Sequence, residues 1–555
     1  MLNLGFFFAL ALLGVLATAI TTILRPSQAR LVALVAVALS CFGWLVARAE
    51  LPLSLTIGDD AAAWPAWTWQ VGSSSWFVSL AVLLLALGAL ALRPRQSPEN
   101  SRALEPAFLQ LLAVVTLLAC WAGSLATYVL SWTLLNGVWL VGMALSTPFQ
   151  EEQRSSLTLR VGAAFGGVML LWLASASGGS TTAGSGAAIA AVGSWPTLTR
   201  SLVLLAAAYQ LGVFPFHFWH ATSWLANSPD VTSAPVRRND ARTTFGVSRF
   251  PPARAALLHT APAAAGALLL TRLENASDIG LAFALPLTLL GLLSLLLGAR
   301  HAWSAAEDQP SLPAGLILAQ AGVALLAGVW AGPQAALAET AVLVLGGGVL
   351  LLANGIRQQQ SAHSPIQPGP IIAVAALAGL PLTAGFVGRG ALYDAWLAEG
   401  RWLLVLATAI LHVPLLLAAL RAVWPTDLAA DTGVRIGDAG RAQSALPRLL
   451  ALLLPALGLL SVARLGQTSV LAWLAILLPI AVAVVLMPRL SGTAELRQML
   501  QEALSVPLPA RPPWHGLRRI GTAAATATRE ALAILEGEGG LLWLLIFVVV
   551  LYLAR

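Results

Sequence analysis

The chain reads as an all-α polytopic membrane protein of about sixteen transmembrane helices, and three observations predict this. Apolar runs of about 20 residues recur from end to end, the length a helix needs to cross a bilayer core. Hydrophobic residues make up 58% of the chain and charged residues 10%, with mean hydropathy +0.81. A soluble chain carries about a quarter charged residues. Finally, two of the runs hold helix-breaking residues in their middle, which a membrane tolerates only where the freed backbone is enclosed by protein or lines a hydrated cavity.

In order, the runs are residues 4–24, 31–49, 76–92, 106–122, 124–146, 159–177, 200–219, 253–272, 278–299, 312–331, 334–353, 370–388, 401–423, 446–464, 468–487 and 540–554. The first has no positive residue ahead of it, and Arg25 and Arg30 follow it. That pattern reads as an uncleaved anchor with its N-terminus outside. All 31 basic residues are arginine. With alternating spans, about 24 of them fall on one side and about 7 on the other, which makes the first side cytoplasmic. The expectation is a multi-pass cell (inner) membrane protein with both termini on the outer, periplasmic side. A pI near 10.5 therefore reports topology, and no nucleic-acid partner is expected.

The two cysteines, Cys41 and Cys120, lie inside apolar runs and read as small buried hydrophobes. An iron–sulfur cluster or structural zinc wants about four ligands. No haem-attachment, P-loop or dinucleotide fingerprint appears in a strand–helix context. No cofactor and no metal is expected on this chain, so redox chemistry would sit on another one.

Three polar segments interrupt the spans: residues 221–252 with four arginines, residues 424–447, and residues 488–539. The last reads as two helical pieces, 492–505 and 515–535, separated by VPLPARPP. Leu496, Met499, Leu500 and Leu504 share one face of the first piece. It reads as an amphipathic helix along the membrane surface or across neighbouring spans, the alternative being a plain connector.

The interrupted runs are the seventh, AAYQLGVFPFHFWH (207–220) with Pro215, and the twelfth, ALAGLPLTAGFVGRG (376–390) with Gly379, Pro381, Gly385 and Gly388. Paired broken helices in corresponding positions point to an internally repeated transporter and its ion site; kinks of purely packing value are the alternative.

At these residues a family resemblance emerges. YQLGVFPFHFW resembles the FKLGAVPFHxW segment of the antiporter-like membrane subunits of respiratory complex I, shared with Mrp-type antiporters and membrane-bound hydrogenases. LAGLPLTAGFVGR resembles LAGIPxTxGFxGK, and LLHTAPAAAGALLLTRL (257–273) resembles FLSVGPKAAGFALLLRL, both closest to the N-type subunit. DQPSLPAGLILAQAG (308–322) is laid out like DLKRLLAYSSIAQMG, and VLSWTLLNGVWLVGMAL (129–145) like YLGWELLSLPLYVLAGL. The five stretches keep the family's order, while the length and the segment before the final span are similar to the L-type subunit.

The resemblance implies two inverted five-helix repeats with broken seventh and twelfth helices. It divides the chain into an N-terminal three-helix segment (1–105), a first repeat (106–272, carrying the 221–252 insertion) and a second repeat (278–423). Two further spans (424–487), the surface segment (488–539) and a terminal span (540–555) follow. It also implies proton or other cation translocation, coupled to electron transport in a complex I-like NADH:quinone oxidoreductase or a related Mrp or hydrogenase-type complex. This chain would be a non-redox membrane subunit among other membrane subunits, with quinone handled by a neighbour.

Against that family pattern, the fifth-span glutamate falls on Thr133, the seventh-span lysine on Gln210 and the eighth-span lysine on Ala263. In the connection between the ninth and tenth spans, a lysine and an arginine fall on Pro310 and Ser311. The twelfth-span basic position is kept as Arg389, which holds its proton at all relevant pH and so biases a field rather than carrying protons. Candidates for ion translocation are Arg389, His259, Glu339, His217, Gln210 and Thr133. His259 lies one helical turn before Ala263, and His412 also lies in an apolar span. For each histidine a structural, hydrogen-bonded role is the alternative, and Glu339 has an interfacial position near a helix start as its own. Three readings stay open: a translocating subunit, a non-pumping scaffold paralogue, and a stand-alone secondary transporter with Gln210 and Thr133 as neutral ligands.

Overall fold

In a computed structural model the described residues are 4–57, 67–92, 99–144, 164–177, 195–219, 252–272, 281–304, 311–359, 368–423, 449–459 and 468–492. The chain divides into two compact units, Met1–Pro148 with Ala164–Ala494, and Phe149–Ala163 with Glu495–Arg555. The second unit lies outside the described residues, as do the 424–447 loop, the 488–539 segment beyond Gly492, the terminal span and all of the 221–252 insertion but Pro252.

The first unit is built from helices α1 (Leu4–Leu24), α2 (Pro26–Val46), α3 (Ser73–Ala91), α4 (Glu99–Trp121), α5 (Leu125–Ala144) and α6 (Gly166–Ser177). They are followed by α7 (Thr197–Leu211), α8 (Pro252–Arg272), α9 (Leu281–Ser304), α10 (Ser311–Trp330), α11 (Pro333–Ala341) and α12 (Gly347–Gln359). The last are α13 (Pro368–Ala378), α14 (Ala384–Ala398), α15 (Trp402–Val423), α16 (Leu449–Leu459) and α17 (Val470–Gly492). Between α11 and α12 the helix continues through one wider π turn, Val342–Gly346. Each of the first fifteen apolar runs overlaps a helix. Among the described residues, ten helices are long and apolar enough to cross a membrane, where the sequence predicts about sixteen spans.

The all-α expectation needs one addition. Strands β1 (Leu53–Ile57) and β2 (Trp67–Val71) pair antiparallel, Leu53 opposite Val71 and Ile57 opposite Trp67. LSLTI and WTWQV are short, rich in β-branched and aromatic residues, and sit in the polar connection after α2, so nothing there favours helix.

Burial grades the helices. In α1 the buried residues Leu4, Phe7, Ala11, Gly14, Thr18 and Thr22 form one stripe at helical spacing, as Ala29, Ala33, Val37, Cys41 and Trp44 do in α2. By contrast α8 is buried continuously from Arg254 to Thr271 and packs against α3, α4, α5, α7, α10, α11 and α12. It is the central post of the unit. Helices α9 and α10 meet along small residues: a Cβ on Gly298 would lie 2.4 Å from Ala319 N, and one on Gly322 would lie 2.4 Å from Gly291 O. In lipid, where apolar side chains gain little by leaving their surroundings, such close backbone approach is what holds helices together.

Helix ends carry the remaining polar obligations, since the last four carbonyls of a helix have no partner within it. Arginines from neighbouring helices meet several of these. Arg30 donates from Nε to Leu90 O (2.7 Å) and from Nη2 to Leu92 O, beyond the end of α3. Arg421 donates to Trp303 O at the end of α9 (2.6 Å) and lies 5.0 Å from the centre of the Trp303 ring. Arg272, the last residue of α8, donates to Cys120 O (2.8 Å) and Ala122 O at the end of α4, and to Gln70 O of β2 (2.9 Å). One guanidinium thus ties the central helix to α4 and the ribbon. Arg272→Ala removes charge-assisted bonds worth about 1.5–3 kcal/mol each at most; a net loss of about 2–3 kcal/mol is expected, read as a lower unfolding temperature in detergent.

Candidate functional site

Two polar clusters lie inside the helical unit, each beside a broken helix. At the first break α7 stops at Leu211 because Gly212 adopts the left-handed conformation (φ +76°). The end is closed by a paired cap: Gly212 N–H donates to Tyr209 O (3.1 Å) and Val213 N–H to Ala208 O (3.3 Å). Phe214 N–H donates to Ser294 Oγ of α9 (2.8 Å), and Pro215, joined to Phe214 by a cis peptide, has no N–H to satisfy. A short 3₁₀ turn, Phe216–Trp219, follows.

Gln210, fully buried one residue before the end of α7, forms a reciprocal amide pair with Asn136 of α5. Gln210 Nε2 donates to Asn136 Oδ1 (2.9 Å), and Asn136 Nδ2 donates to Gln210 Oε1 (3.4 Å) and to Ala164 O (2.7 Å). Thr133 is not in this pair. It is exposed on the outward side of α5, its hydroxyl donating to Val129 O one turn back (2.6 Å). Asn136, three residues on, turns inward instead.

His259 is 1% exposed on α8, with the Trp139 indole donating to the adjacent Leu258 O (2.8 Å). It lies two helical turns, about 10 Å, from Gly266, where α8 touches the break. A Cβ there would come within 2.5 Å of Leu211 N and 2.9 Å of Gln210 C. His217 sits half-buried in the 3₁₀ turn, its ring 5.5 Å from that of Phe214.

The second break repeats the same local chemistry. α13 ends at Ala378, Gly379 is left-handed (φ +71°), Gly379 N–H donates to Ala376 O (3.0 Å) and Leu380 N–H to Ala375 O (2.9 Å). Pro381 and Leu382 (φ 68°) make the crossing, and α14 begins after Thr383, whose hydroxyl donates to Leu380 O (2.6 Å). Gly385 lets α14 start against the end of α13: a Cβ would lie 2.0 Å from Ala376 O.

Here the structure brings two of the candidates together. Glu339 of α11 is fully buried and Arg389 of α14 is 2% exposed, with Arg389 Nε 3.8 Å from Glu339 Oε1. Gln320 of α10 bridges them. Its Nε2 donates to Glu339 Oε2 (2.5 Å) and Glu339 O (3.3 Å), and its Oε1 accepts from Arg389 Nη2 (3.3 Å). Neither Glu339 Oε1 nor Arg389 Nε has a hydrogen-bond partner among the described residues. Glycines make the room. A Cβ at Gly388 would lie 2.6 Å from Glu339 Oε1, and one at Gly379 would lie 3.1 Å from Arg389 Cδ. One turn beyond Arg389, Tyr393 places its hydroxyl 3.4 Å from His412 Nδ1 of α15.

The clusters differ in kind. The Asn136–Gln210 pair is neutral and cannot titrate; it can bind water or a cation through amide oxygens. The second cluster holds a titratable carboxyl beside a permanent positive charge, with both taken out of solvent. Sequence reasoning missed Asn136 and Gln320. Both stand within stretches that carried the resemblance, VLSWTLLNGVWLVGMAL and DQPSLPAGLILAQAG, but neither amide differs from an ordinary polar residue until its partner is known. Among the described residues no group of His, Cys, Asp or Glu has metal-binding geometry.

Solved structures similar to this one place the fold. A chain of the Mrp complex from Dietzia sp. DQ12-45-1b matches with TM-score 0.69 at 18% identity, over 99% of this chain and 62% of that one. The chain thus spans about 62% of the length of that Mrp chain. Chains of respiratory complex I from Thermus thermophilus match with TM-score 0.57. The one with bound aureothin is 22% identical over 83% of this chain and 98% of its own; the one with bound NADH is 19% identical over 84% and 99%. No family model and no curated protein matches the sequence. At these identities the shared property is the fold, that of the antiporter-like membrane subunits to which the sequence motifs also point.

Two outcomes test the clusters. Gln320→Leu keeps the volume but strips both charges of a partner; a loss of about 2–3 kcal/mol is expected in thermal unfolding of the purified protein. In a double-mutant cycle of Asn136→Ala and Gln210→Ala, the same measurement should give a coupling of about 0.5–1.5 kcal/mol.

Proposed function

We propose that the chain is an ion-translocating membrane subunit of a complex I-like or Mrp-type assembly, moving protons or another cation through its second polar cluster. The single observation that carries this reading is the Glu339–Arg389 pair, bridged by Gln320 and seated beside a broken helix. A carboxyl and a guanidinium inside a membrane are costly and are kept where charge moves. When Glu339 is ionised the pair is neutral overall; when a proton or cation arrives, the cluster gains a positive charge that Arg389 repels. Arg389 holds the field, and Glu339 loads and unloads.

The identical caps of the two breaks support two inverted repeats, with Gly212 and Gly379 in equivalent roles. In this reading the first repeat no longer carries the titrating groups, and Asn136–Gln210 keeps its helices in register while admitting water. Partners would be other membrane subunits, one of which handles quinone if the assembly is driven by electron transport; this chain itself would carry out no redox step. The arginine distribution supports both termini on the outer side of the cell membrane. A second reading, a non-pumping scaffold subunit, draws on one specific observation, the neutral Asn136–Gln210 pair in place of an acid–base pair.

The test is proton flux in inverted membrane vesicles carrying the assembled complex, followed by dye quenching under an imposed cation gradient or electron transport. Glu339→Gln should lower flux at least about tenfold with assembly intact, whereas Thr133→Ala, on the outward face, should stay within about twofold. Full flux in the Glu339→Gln complex would sink the translocating reading and leave the scaffold.

A further inference from the structure

We propose that Tyr128 and Trp132 hold an internal water site between the β-ribbon end of α5 and the first broken helix. The site stands apart from the Glu339–Arg389 cluster and is independent of whether that cluster carries ions.

Tyr128, Trp132 and Asn136 follow one another at a spacing of four on α5, share one face and are fully buried. Asn136 is paired with Gln210, but its two aromatic neighbours are not so served. An indole N–H can only donate, and Trp132 Nε1 has no hydrogen-bond partner among the described residues. Nor has the Tyr128 hydroxyl, one turn nearer the ribbon. By contrast, Trp44 donates to Trp76 O (2.9 Å), Trp121 to Ser79 Oγ (2.9 Å) and Trp139 to Leu258 O (2.8 Å). Trp69, Trp303 and Trp396 also lack a partner, but none has a second unpaired group one helical turn away. Two buried, unpaired polar groups on adjacent turns mark a place where ordered water completes the bonding.

The two rings stand edge to face with centres 5.8 Å apart, so no more than a few waters separate their polar atoms. Gly167 of α6 marks the inner boundary: a Cβ there would lie 3.5 Å from Trp132 Cζ3 and 3.3 Å from Gln210 Oε1. Cζ3 belongs to the benzo edge of the indole, opposite the N–H, so the N–H is turned away from the amide pair. At the ribbon end, the Arg272 guanidinium lies 5.8 Å from the centre of the Tyr128 ring, and Arg272 is half-buried. The site therefore borders the end of the bundle.

The donor set selects the ligand. An N–H donor beside a hydroxyl that both donates and accepts suits water. A cation would find a single oxygen there and the repulsion of Arg272. An anion would find no free cationic group, because Arg272 is engaged with Cys120 O, Ala122 O and Gln70 O. The Trp132 ring is then the partition between water on the ribbon side and the Asn136–Gln210 pair at the break.

Hydroxyl-radical footprinting by X-ray radiolysis of water tests this on the purified chain, because an enclosed aromatic ring is oxidised efficiently only where water is bound beside it. Mass spectrometry reads the rate at each residue. Trp132 and Tyr128 should be labelled at least about fivefold faster than Trp44, Trp121 and Trp139, buried indoles whose N–H groups are bonded within the protein. Tyr128→Phe keeps the ring and removes the hydroxyl; it should slow labelling at Trp132 at least about threefold and leave the three reference indoles unchanged. Labelling of Trp132 and Tyr128 at the reference rate overturns the proposal and assigns the Trp132 N–H to the face of the Tyr128 ring. A fast rate at Trp132 that Tyr128→Phe leaves untouched overturns the shared site. Neither readout depends on flux, so failure here leaves the translocation reading standing, and a silent Glu339→Gln leaves the water site standing.

Discussion

The structure depends above all on one constraint: inside lipid every backbone N–H and C=O must find its partner within the protein. Uninterrupted helices meet it automatically. The two breaks, which expose backbone beside polar clusters, meet it by the same device, a left-handed glycine with two reversed hydrogen bonds, followed by help from a hydroxyl: Ser294 at one break and Thr383 at the other. At helix ends the debt passes to arginines of neighbouring helices. Arg30, Arg272 and Arg421 each reach carbonyls far away in sequence and so fasten the bundle.

The constraint explains why polar residues are few and paired. A lone carboxylate or guanidinium in this interior would be prohibitive, and together they still lose hydration that their mutual attraction only partly repays. At 3.8 Å, Arg389 Nε and Glu339 Oε1 stop short of a close ion pair, and Gln320 supplies hydrogen bonds to both partners. The arrangement holds the charges near each other without a direct close bond between them, as the proposed loading and unloading of Glu339 requires. At the other break, two amides bond each other and carry no net charge in any state, so that site is quiet electrically while its counterpart is not.

Much of the fold was legible because the membrane imposes a simple code: length and hydropathy located fifteen helical segments, and Gly-Pro clusters located both breaks. The β-ribbon was not, since ten residues in a polar connection leave no trace in a hydropathy reading. Within the site, Arg389 and Glu339 were legible as single charges in apolar surroundings, but their pairing was not, because 50 positions separate them in sequence. Thr133 shows the limit most clearly. Matching motifs put it at the family's acidic position, yet on α5 it faces outward and Asn136, three residues later, faces Gln210. A motif fixes the helix; the face a residue takes is decided by packing.

The π turn at Val342–Gly346 carries a consequence for phase. One such turn accommodates an extra residue, so α11 is rotated by about 100° relative to α12 compared with an unbroken helix. Glu339 lies on the α11 side of that step. A helical wheel drawn straight through the segment would therefore assign Glu339 a direction about a quarter-turn wrong with respect to every residue of α12. The carboxyl's direction toward Arg389 belongs to α11 and its packing on α14, and spacing from the residues that follow does not report it.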